Sequence, residues 1–426
     1  MKSFPVLLKN PWVSGGILAI ILVAGLAMRL PFLRHAGLDD MFFTAWADGL
    51  LRYGMTDAYR TIPTLNYPPL YIYILDGIAH LFRAYSEAPT SDQSFVALQK
   101  SFNVLIDLIN ALLLFTLVRR ISNQRQALWI TALWFLSPYP LYDSAIWGQV
   151  DTLITLFLLL SLYGLQTENL VLTYLALALG LLTKAQMAVA LPLILLFAIR
   201  RFGWKAQLLP LLISLGVSTV ILWPFIASGT LSLVISAAYL KASSYFPYMS
   251  LNAHNIWWLF SDPNDIFARS DAIPVIGSLT AKTVGVLLFV AAYAIAFVTL
   301  LRKPLTKLIL GDLAFGSAFA YFAFYILNTE MHERYLYPFF ALWLLSNAEP
   351  LIYYGMYLIL TITQTLSLAF IIPFIPQAFW LRTNYFPSLT YPLTYINLYC
   401  FILTGGLYVP VSGNQPKPKH SNPRLA

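Results

Sequence analysis

Three polar side chains of different chemistry stand side by side in MHERYLYP, residues 331–338. They are His332, Glu333 and Arg334, and apolar runs lie on both sides of them. An arginine presents a planar fork of N–H donors that suits a phosphate group, and a lysine acts as a point charge. Together with Lys184 of LLTKAQMA, they predict a site for an anion. We interpret Glu333 as an ion-pair partner of Arg334.

Carboxylates supply the complementary chemistry, because a carboxylate can accept the proton of a reacting hydroxyl group. Asp39 and Asp40 stand immediately before an amphipathic helical pattern, and Asp143 and Asp151 flank the sequence SAIWGQV. Several of these charged residues also have a purely structural alternative. One acid of the first pair can cap the helix, and Asp151 can cap a helix or pair locally. Lys184 can extend its ammonium group to the membrane surface. An ionisable side chain near the bilayer is costly, and is usually functional or paired.

A further polar group lies in the aromatic sequence SSYFPYMSLNAHNIWWLF, residues 243–260. Its members are Asn252, His254 and Asn255. Aromatic side chains at a membrane interface are most often anchors. His254 taken alone is more typical of a hydrogen-bonded structural histidine than of a ligand.

The composition predicts the environment in which these side chains act. The chain has 426 residues, of which 59% are hydrophobic and only 10% are charged, and its mean hydropathy is +0.70. Soluble domains carry about 25% charged residues, so a soluble enzyme is excluded. Repeated apolar runs match the bilayer core, which about 20 helical residues span. The net charge of +8 could suit nucleic acid, but the basic residues are spread over alternate loops.

These runs predict an all-α polytopic membrane protein with about 12 transmembrane helices and cytoplasmic termini. Alternate loops are basic, including those around residues 119–125, 200–205 and 302–307, and the positive-inside bias places them in the cytoplasm. Segment 68–83 is also apolar, but counting it as a span breaks this alternation. The predicted spans are 15–33, 98–118, 127–141, 149–166, 170–183, 187–200, 206–226, 275–301, 308–328, 334–346, 351–372 and 393–409.

A single membrane domain is predicted for residues 1–410, followed by a polar cytoplasmic tail at 411–426. Two long loops face the opposite side, at about 34–97 and 227–274. Most acidic residues lie in these loops or at adjoining helix ends. Any chemistry is therefore expected to face outward.

The first outer loop is predicted to contain two helices that lie on the membrane surface. One covers residues 41–53, and the other begins at Pro68 and Pro69, because proline suits the first helical turn. The spacing predicts that the first helix has an apolar face formed by Phe42, Trp46, Leu50 and Tyr53.

The order of the motifs carries a resemblance to a known family. Asp39 precedes Trp46-Ala47 by seven residues, and the motifs that follow are NYPPLYIY (66–73), SAIWGQVDTL (144–153), TKAQ (183–186), NAHNIWWL (252–259) and HERYLYP (332–338). Over about residues 15–345 the chain resembles the membrane glycosyltransferases of the C-type fold (GT-C). It is similar to bacterial relatives of the GPI mannosyltransferases and to the dolichyl-phosphate-glucose-dependent glucosyltransferases of the endoplasmic reticulum.

The resemblance implies a polyprenyl-phosphate sugar as donor, used on the outer face with inversion at the anomeric carbon. It implies that Asp39 is the general base, with Asp40 as the adjacent alternative. The donor phosphate would be held by Lys184, His332 and Arg334. These cations would stand where negative charge builds on the leaving phosphate.

The resemblance also implies a surface that binds the sugar or the acceptor. The family often has Asp before Tyr-Pro-Pro, whereas this chain has Asn66. An amide there can still bind a sugar, since it both donates and accepts hydrogen bonds, but it cannot be a catalytic acid. The predicted surface comprises Asn66, Tyr67, Trp147, Gln149, Asp151, Asn252 and His254.

The expected function is inverting transfer of a hexose, with mannose or glucose favoured, to a glycan, glycolipid or protein acceptor. No cofactor is expected, and a divalent metal on the outer aspartates is the less favoured alternative. A bacterial plasma membrane is the favoured location. The rival function is a transporter or flippase of lipid-linked sugars, which predicts charges near the middle of several spans; Asp107 is among the few such residues. A structural subunit of an envelope complex is a third alternative.

Overall fold

The computed structural model describes residues 11–35, 37–241, 245–261, 269–346, 350–373 and 376–408. The predicted tail at 411–426 lies outside these ranges. Nearly all regular structure is helical, which confirms the predicted all-α fold. The helices of the first half are α1 (Pro11–Arg29), α2 (Asp40–Tyr53), α3 (Ala58–Thr61), α4 (Pro69–Tyr85), α5 (Gln93–Ile121), α6 (Gln124–Phe135), α7 (Pro138–Leu141), α8 (Asp151–Gln166), α9 (Leu170–Leu181) and α10 (Leu191–Phe202).

In the described part of the second half the helical bundle continues, and a short hairpin precedes one of its helices. Strands β1 (Pro274–Ile276) and β2 (Leu279–Thr280) pair antiparallel. Because they occupy the start of the predicted span 275–301, that prediction was wrong at its first residues, and the helix begins at Ala281. The remaining helices are α11 (Leu208–Ala227), α12 (Leu231–Ile235), α13 (Ala281–Arg302), α14 (Leu310–Leu327), α15 (Tyr337–Leu344), α16 (Pro350–Ile371) and α17 (Pro376–Tyr408).

Six helices of the described ranges are long and apolar enough to cross a membrane, judged by length and composition. They cover Trp12–Phe32, Gln93–Ile121, Lys205–Ala227, Ala281–Arg302, Leu310–Leu327 and Ile352–Ile371. Some predicted spans are shorter or broken, since α6 ends at Phe135 and α15 has only 8 residues. The polytopic membrane fold is thus confirmed, and the count of twelve stays a prediction.

The two predicted helices of the first outer loop are both present, as α2 and α4. Helix α4 begins at Pro69 as predicted and buries one face. The predicted apolar face of α2 is confirmed at Trp46 and Leu50, which are buried, and was wrong at Tyr53, which is exposed. Phe43, which was not predicted, is also buried, because it packs edge-on against the ring of Tyr71 in α4.

A fully buried ion pair ties α1 to the bundle. Asp107 Oδ2 lies 2.7 Å from Arg29 Nη2 and also accepts from Arg29 Nε at 3.1 Å and Ser144 Oγ at 3.2 Å. Its Oδ1 accepts from the Trp134 indole at 3.0 Å and the Tyr337 hydroxyl at 3.1 Å. Both oxygens of this membrane-buried carboxylate are therefore satisfied by protein donors, as a buried charge requires.

The segment between α7 and α8 carries Trp147 and Gln149 into the molecule. It is a π-helical turn, Tyr142–Trp147, that ends at Gly148 with φ +84°. Lys100 Nζ of α5 donates to the carbonyl oxygens of Ile146 and His35, each at 2.6 Å. Helix α5 thereby fixes this turn against the chain that leads into α2.

Candidate active site

A cavity of about 1110 Å³ is lined by segments that lie far apart in the sequence, among them parts of 64–68, 245–252 and 328–335. Polar side chains lie at one part of it, and apolar side chains of α13 line another. Eight of the predicted site residues line this cavity: Asp39, Asn66, Tyr67, Trp147, Lys184, Asn252, His332 and Arg334. Residues far apart in the sequence therefore share one space of the size that holds a small ligand.

Asp39 occupies the N-cap position of α2 but does not cap it. Its Oδ2 accepts from the Trp147 indole at 3.0 Å and from the Gln149 amide, and lies 3.1 Å from Arg334 Nη2. No donor among the described residues reaches Oδ1, and the side chain is 18% exposed at the cavity. One carboxylate oxygen is anchored by two hydrogen-bond donors and by the ion pair with Arg334, and the other stays open.

Arg334 lies between two carboxylates. Besides Asp39, its Nη1 contacts Glu333 Oε1 at 2.8 Å. The guanidinium carbon lies 5.2 Å from the centre of the Trp147 ring, within the range of a cation–π contact. Its Nε is buried and has no acceptor among the described residues. An orphaned charged donor of this kind is costly, and an anion that supplies an acceptor would relieve the cost.

Lys184 is the second cation and is almost fully buried. Its Nζ lies 2.7 Å from Asp151 Oδ1, so Asp151 forms a buried ion pair with a residue 33 positions along the chain and does not line the cavity. The same ammonium lies 5.1 Å from the ring centre of Tyr335 and 5.7 Å from that of Tyr67. Both rings line the cavity, so Lys184 faces it across aromatic side chains.

His332 and Glu333 have shifted pKa values. Burial, together with Arg334 and Lys184, holds the pKa of His332 well below its usual range, so the imidazole is neutral. Its Nδ1 lies 3.4 Å from Arg334 Nη1 and therefore accepts, which leaves Nε2 as the N–H donor. Burial raises the pKa of Glu333 to about 7 against the opposing effect of Arg334. His332 thus offers a hydrogen bond rather than the predicted positive charge.

Asp40 has a different environment from Asp39. It is buried, accepts from the backbone N–H of Gly37, and lies 3.3 Å from Lys100 Nζ. Burial raises the pKa of Asp40 in spite of Lys100. It does not line the cavity. This position favours a role for Asp40 in holding the loop before α2.

The structure separates His254 from the other candidates. Its ring is buried, Nδ1 lies 2.6 Å from the Ser367 hydroxyl, and it packs edge-on against Trp258. Burial lowers the pKa of His254 to about 3. Asn252, by contrast, lines the cavity and has φ +60°, a conformation that asparagine tolerates better than most residues.

Several charged residues of this region were not identified from the sequence. Glu330 and Lys282 both line the cavity and form an ion pair of 2.7 Å. Lys100, behind the site, is a lysine inside an apolar helix, which is the only signal that could have revealed it. Asp143, by contrast, is one of the carboxylates singled out from the sequence; it is fully buried, and neither of its carboxylate oxygens has a partner among the described residues. Within the same ranges, no group of three or more His, Cys, Asp or Glu is placed to hold a metal ion.

An apolar groove continues the cavity along α13. Val286, Phe289, Tyr293 and Phe297 recur at intervals of three and four residues, so one face of the helix lines the cavity over about 17 Å. The chain thus joins a charged pocket to a lipid-compatible groove.

Comparison with known proteins agrees with the motif resemblance. The sequence profile of a family described as dolichyl-phosphate-mannose-protein mannosyltransferase matches residues 66–228. The chain resembles the C-type membrane glycosyltransferases. The matched segment includes Tyr67, Trp147, Gln149, Asp151 and Lys184. No curated protein sequence matches the chain.

Solved structures with low sequence identity also align with the chain. The oligosaccharyltransferase of Archaeoglobus fulgidus in the apo form is 14% identical, and the alignment covers 97% of this chain and 57% of that one, with a TM-score of 0.46. ArnT of Cupriavidus metallidurans bound to undecaprenyl phosphate is 13% identical, with coverage of 92% and 78% and a TM-score of 0.48. AglB of Archaeoglobus fulgidus, in complex with an inhibitory peptide and a dolichol-phosphate, is 12% identical, with coverage of 93% and 56% and a TM-score of 0.45. The chain thus spans little more than half of either archaeal enzyme.

Proposed function

We propose that this chain is a membrane glycosyltransferase that moves a sugar from a polyprenyl-phosphate carrier to a hydroxyl group of an acceptor. One observation carries the proposal: the open oxygen of Asp39 and the cations Lys184 and Arg334 meet in one cavity. A proton acceptor and a phosphate-binding pair are the two parts that such a transfer needs.

The proposed reaction is a single displacement. Asp39 Oδ1 takes the proton of the acceptor hydroxyl, and the acceptor oxygen forms a bond to the anomeric carbon. The bond from that carbon to the phosphate oxygen breaks, and the phosphate leaves with the bonding electrons. One displacement inverts the anomeric centre, so no covalent enzyme intermediate is formed. A hexose, with mannose or glucose favoured, is the proposed sugar, and the name of the matching family supports mannose.

Arg334 and Lys184 would neutralise the phosphate as its charge grows. The buried Nε of Arg334, which has no acceptor, supports this role. Neutral His332 would donate a hydrogen bond from Nε2, and Glu333 would orient the guanidinium. Asp40, paired with Lys100, would act on the loop that carries Asp39. The acceptor is proposed to be a glycan, a glycolipid or a protein.

The apolar face of α13 supports a lipid-linked donor, because a polyprenyl tail could lie along Phe289 and Tyr293 while its phosphate reaches Lys184. The orientation of α5 supports an extracytoplasmic site. Its first turns hold the site through Lys100, and its last turn carries Arg119 and Arg120, which the positive-inside bias assigns to the cytoplasm. We favour a bacterial plasma membrane.

The test is transfer of radiolabel in proteoliposomes that contain the full chain and an extract of native acceptors. Polyprenyl-phosphate mannose, glucose and arabinose are supplied separately. Label that moves from one donor to the acceptor, and only with the protein present, supports the function and identifies the sugar. If no donor transfers label but a fluorescent lipid-linked sugar crosses the bilayer, the chain is a flippase and the proposal is wrong.

A further inference from the structure

Gln149 connects the proposed base to a tyrosine. Its amide nitrogen donates to Asp39 Oδ2, and its amide oxygen lies 3.3 Å from the Tyr67 hydroxyl. Gln149 itself is fully buried and does not line the cavity. A side chain that cannot reach the cavity acts through its neighbours rather than on a substrate.

The direction of both hydrogen bonds follows from the donor inventory. An ionised carboxylate can only accept, so the NH₂ group of Gln149 must face Asp39. The carbonyl oxygen of the same amide then faces Tyr67, and the phenol must donate its single proton to it. Burial raises the pKa of Tyr67 far above its usual value, so this proton stays on the phenol. The chain of bonds therefore runs from Tyr67 to Gln149 to Asp39.

Tyr67 is held in place by its surroundings. Its ring lies 5.3 Å from that of Trp46 and 5.2 Å from that of Tyr71, both edge-on. Such aromatic contacts stabilise a fixed ring orientation. The phenol therefore keeps its hydroxyl beside the oxygen of the Gln149 amide. This contact disfavours the flipped amide, in which the oxygen would face Asp39 and repel its carboxylate.

We propose that Tyr67 and Gln149 are positioning residues for Asp39. Tyr67 orients the Gln149 amide, and this amide with the Trp147 indole keeps Oδ2 of Asp39 as an acceptor, so that the proton of the acceptor hydroxyl goes to Oδ1. The inference deepens the proposed function and rests on it. It gives Tyr67 and Gln149 a role different from the sugar binding predicted from sequence.

The first variant is Tyr67→Phe, which removes one hydroxyl and leaves the packed ring. Loss of one orienting hydrogen bond is worth about 1–1.5 kcal/mol, so kcat should fall about tenfold. The KM values for donor and acceptor should stay within twofold. A rise in either KM with unchanged kcat would mean that Tyr67 contacts a substrate, which overturns the inference.

The chain offers a matched control in a second buried tyrosine–glutamine pair. The Tyr174 hydroxyl donates to Gln207 Oε1 at 3.0 Å, and neither residue lines the cavity. Tyr174→Phe removes the same kind of hydrogen bond, and kcat should stay at the wild-type value. An equal fall of kcat in both variants would mean that the effect is one of stability alone.

Gln149→Glu tests the contact between position 149 and Asp39. It places a second carboxyl beside Asp39, and two adjacent carboxyl groups resist ionising together. The acid limb of the pH profile of kcat/KM should move up by about one pH unit, which corresponds to about 1.4 kcal/mol. An unmoved acid limb would contradict a contact between this side chain and the base.

Carbodiimide labelling gives a readout that does not need turnover. The reagent modifies protonated carboxyl groups, and mass spectrometry of the Asp39 peptide yields the pH at half labelling. That pH should be higher in Gln149→Glu than in wild type and unchanged in Tyr174→Phe. A wild-type protein that transfers no sugar would defeat the proposed function, while the labelling would still confirm or overturn the network.

Discussion

Two arginine–aspartate ion pairs in this molecule are built from the same residue types. They differ in whether one or both oxygens of the aspartate are occupied by protein donors. Asp107 binds Arg29 and accepts from the Trp134 indole, and Asp39 binds Arg334 and accepts from the Trp147 indole. In the first pair neither side chain is exposed, and five donor contacts cover both carboxylate oxygens. In the second, one oxygen carries every donor and the other faces the cavity.

This difference distinguishes a structural ion pair from a reactive one. A buried carboxylate with both oxygens satisfied has no capacity left for a proton or a ligand, and its role is to hold helices together. A carboxylate anchored by one oxygen keeps its orientation and leaves the other for chemistry. The number of partners alone does not separate the two, since Asp39 also has two hydrogen-bond donors and an ion-pair partner; the distribution of those partners over the two oxygens does.

The largest expected effect is that of Asp39→Asn. Asparagine keeps the shape of the side chain and one acceptor oxygen but cannot take a proton, so turnover should fall about 10³-fold. Its stability should change little, because Arg334 keeps Glu333 as a partner. Radiolabel transfer and thermal unfolding check both statements, and near wild-type turnover would refute the base assignment.

Asp107→Asn should give the opposite pattern. It leaves Arg29 buried without a counter-charge, which costs about 3–5 kcal/mol of unfolding free energy. Turnover per folded molecule should remain at the wild-type value, because Asp107 does not line the cavity. Denaturant unfolding in micelles measures the loss of stability, and transfer rates measure the turnover. If the unfolding free energy of Asp107→Asn equals that of wild type, the distinction between the two ion pairs is wrong.

Arg334→Ala should act mainly on the donor. Removing the cation that meets the leaving phosphate should lower kcat/KM for the donor about 10²-fold. The acceptor makes no proposed contact with Arg334, so its KM should change less than threefold. Arg200→Ala is a suitable control, since this arginine binds backbone carbonyls of Leu300 and Lys303. Kinetics with a defect in acceptor use alone would reverse the assignment.

The smallest expected effect is a pH dependence of donor binding. Below pH 7 Glu333 is largely neutral, because its pKa is raised to about 7, and the full charge of Arg334 is available. Above pH 7 the carboxylate competes for Arg334, so KM for the donor should rise about fivefold, which corresponds to about 1 kcal/mol.

Glu333→Gln should remove this rise. Glu330→Gln is the matched control, since burial also raises the pKa of Glu330 to about 7 while its partner is Lys282. If the rise persists in Glu333→Gln and disappears in Glu330→Gln, the competition occurs at the second pair.

The sequence predicted the membrane class and the positions of α2 and α4 well, because apolar length and helix-start residues are local signals. It erred on Phe43 and Tyr53 of α2 and on the start of α13, because the packing of Phe43 on Tyr71 and the hairpin of residues 274–280 depend on distant parts of the chain. Boundaries of broken spans such as α6 were unreliable for the same reason.

For the site, motif order grouped Asp39, Lys184 and Arg334, and the structure brings these three to one cavity. The pairing of Arg334 with Glu333 and a structural role for His254 were both open to sequence reasoning, and the contacts of the two residues agree with it. Spacing alone could not reveal that Lys184 pairs with Asp151, that Arg334 also pairs with Asp39, or that Lys100 holds the loop before α2. Such facts depend on which atoms of a side chain are covered, and sequence patterns do not record this.

The most direct test measures turnover and unfolding free energy in the same preparations of wild type, Asp39→Asn and Asp107→Asn. We predict that Asp39→Asn loses transfer and keeps stability, and that Asp107→Asn loses stability and keeps transfer per folded molecule. An Asp39→Asn protein that transfers sugar at the wild-type rate would contradict the claim that the open oxygen of Asp39 is the base.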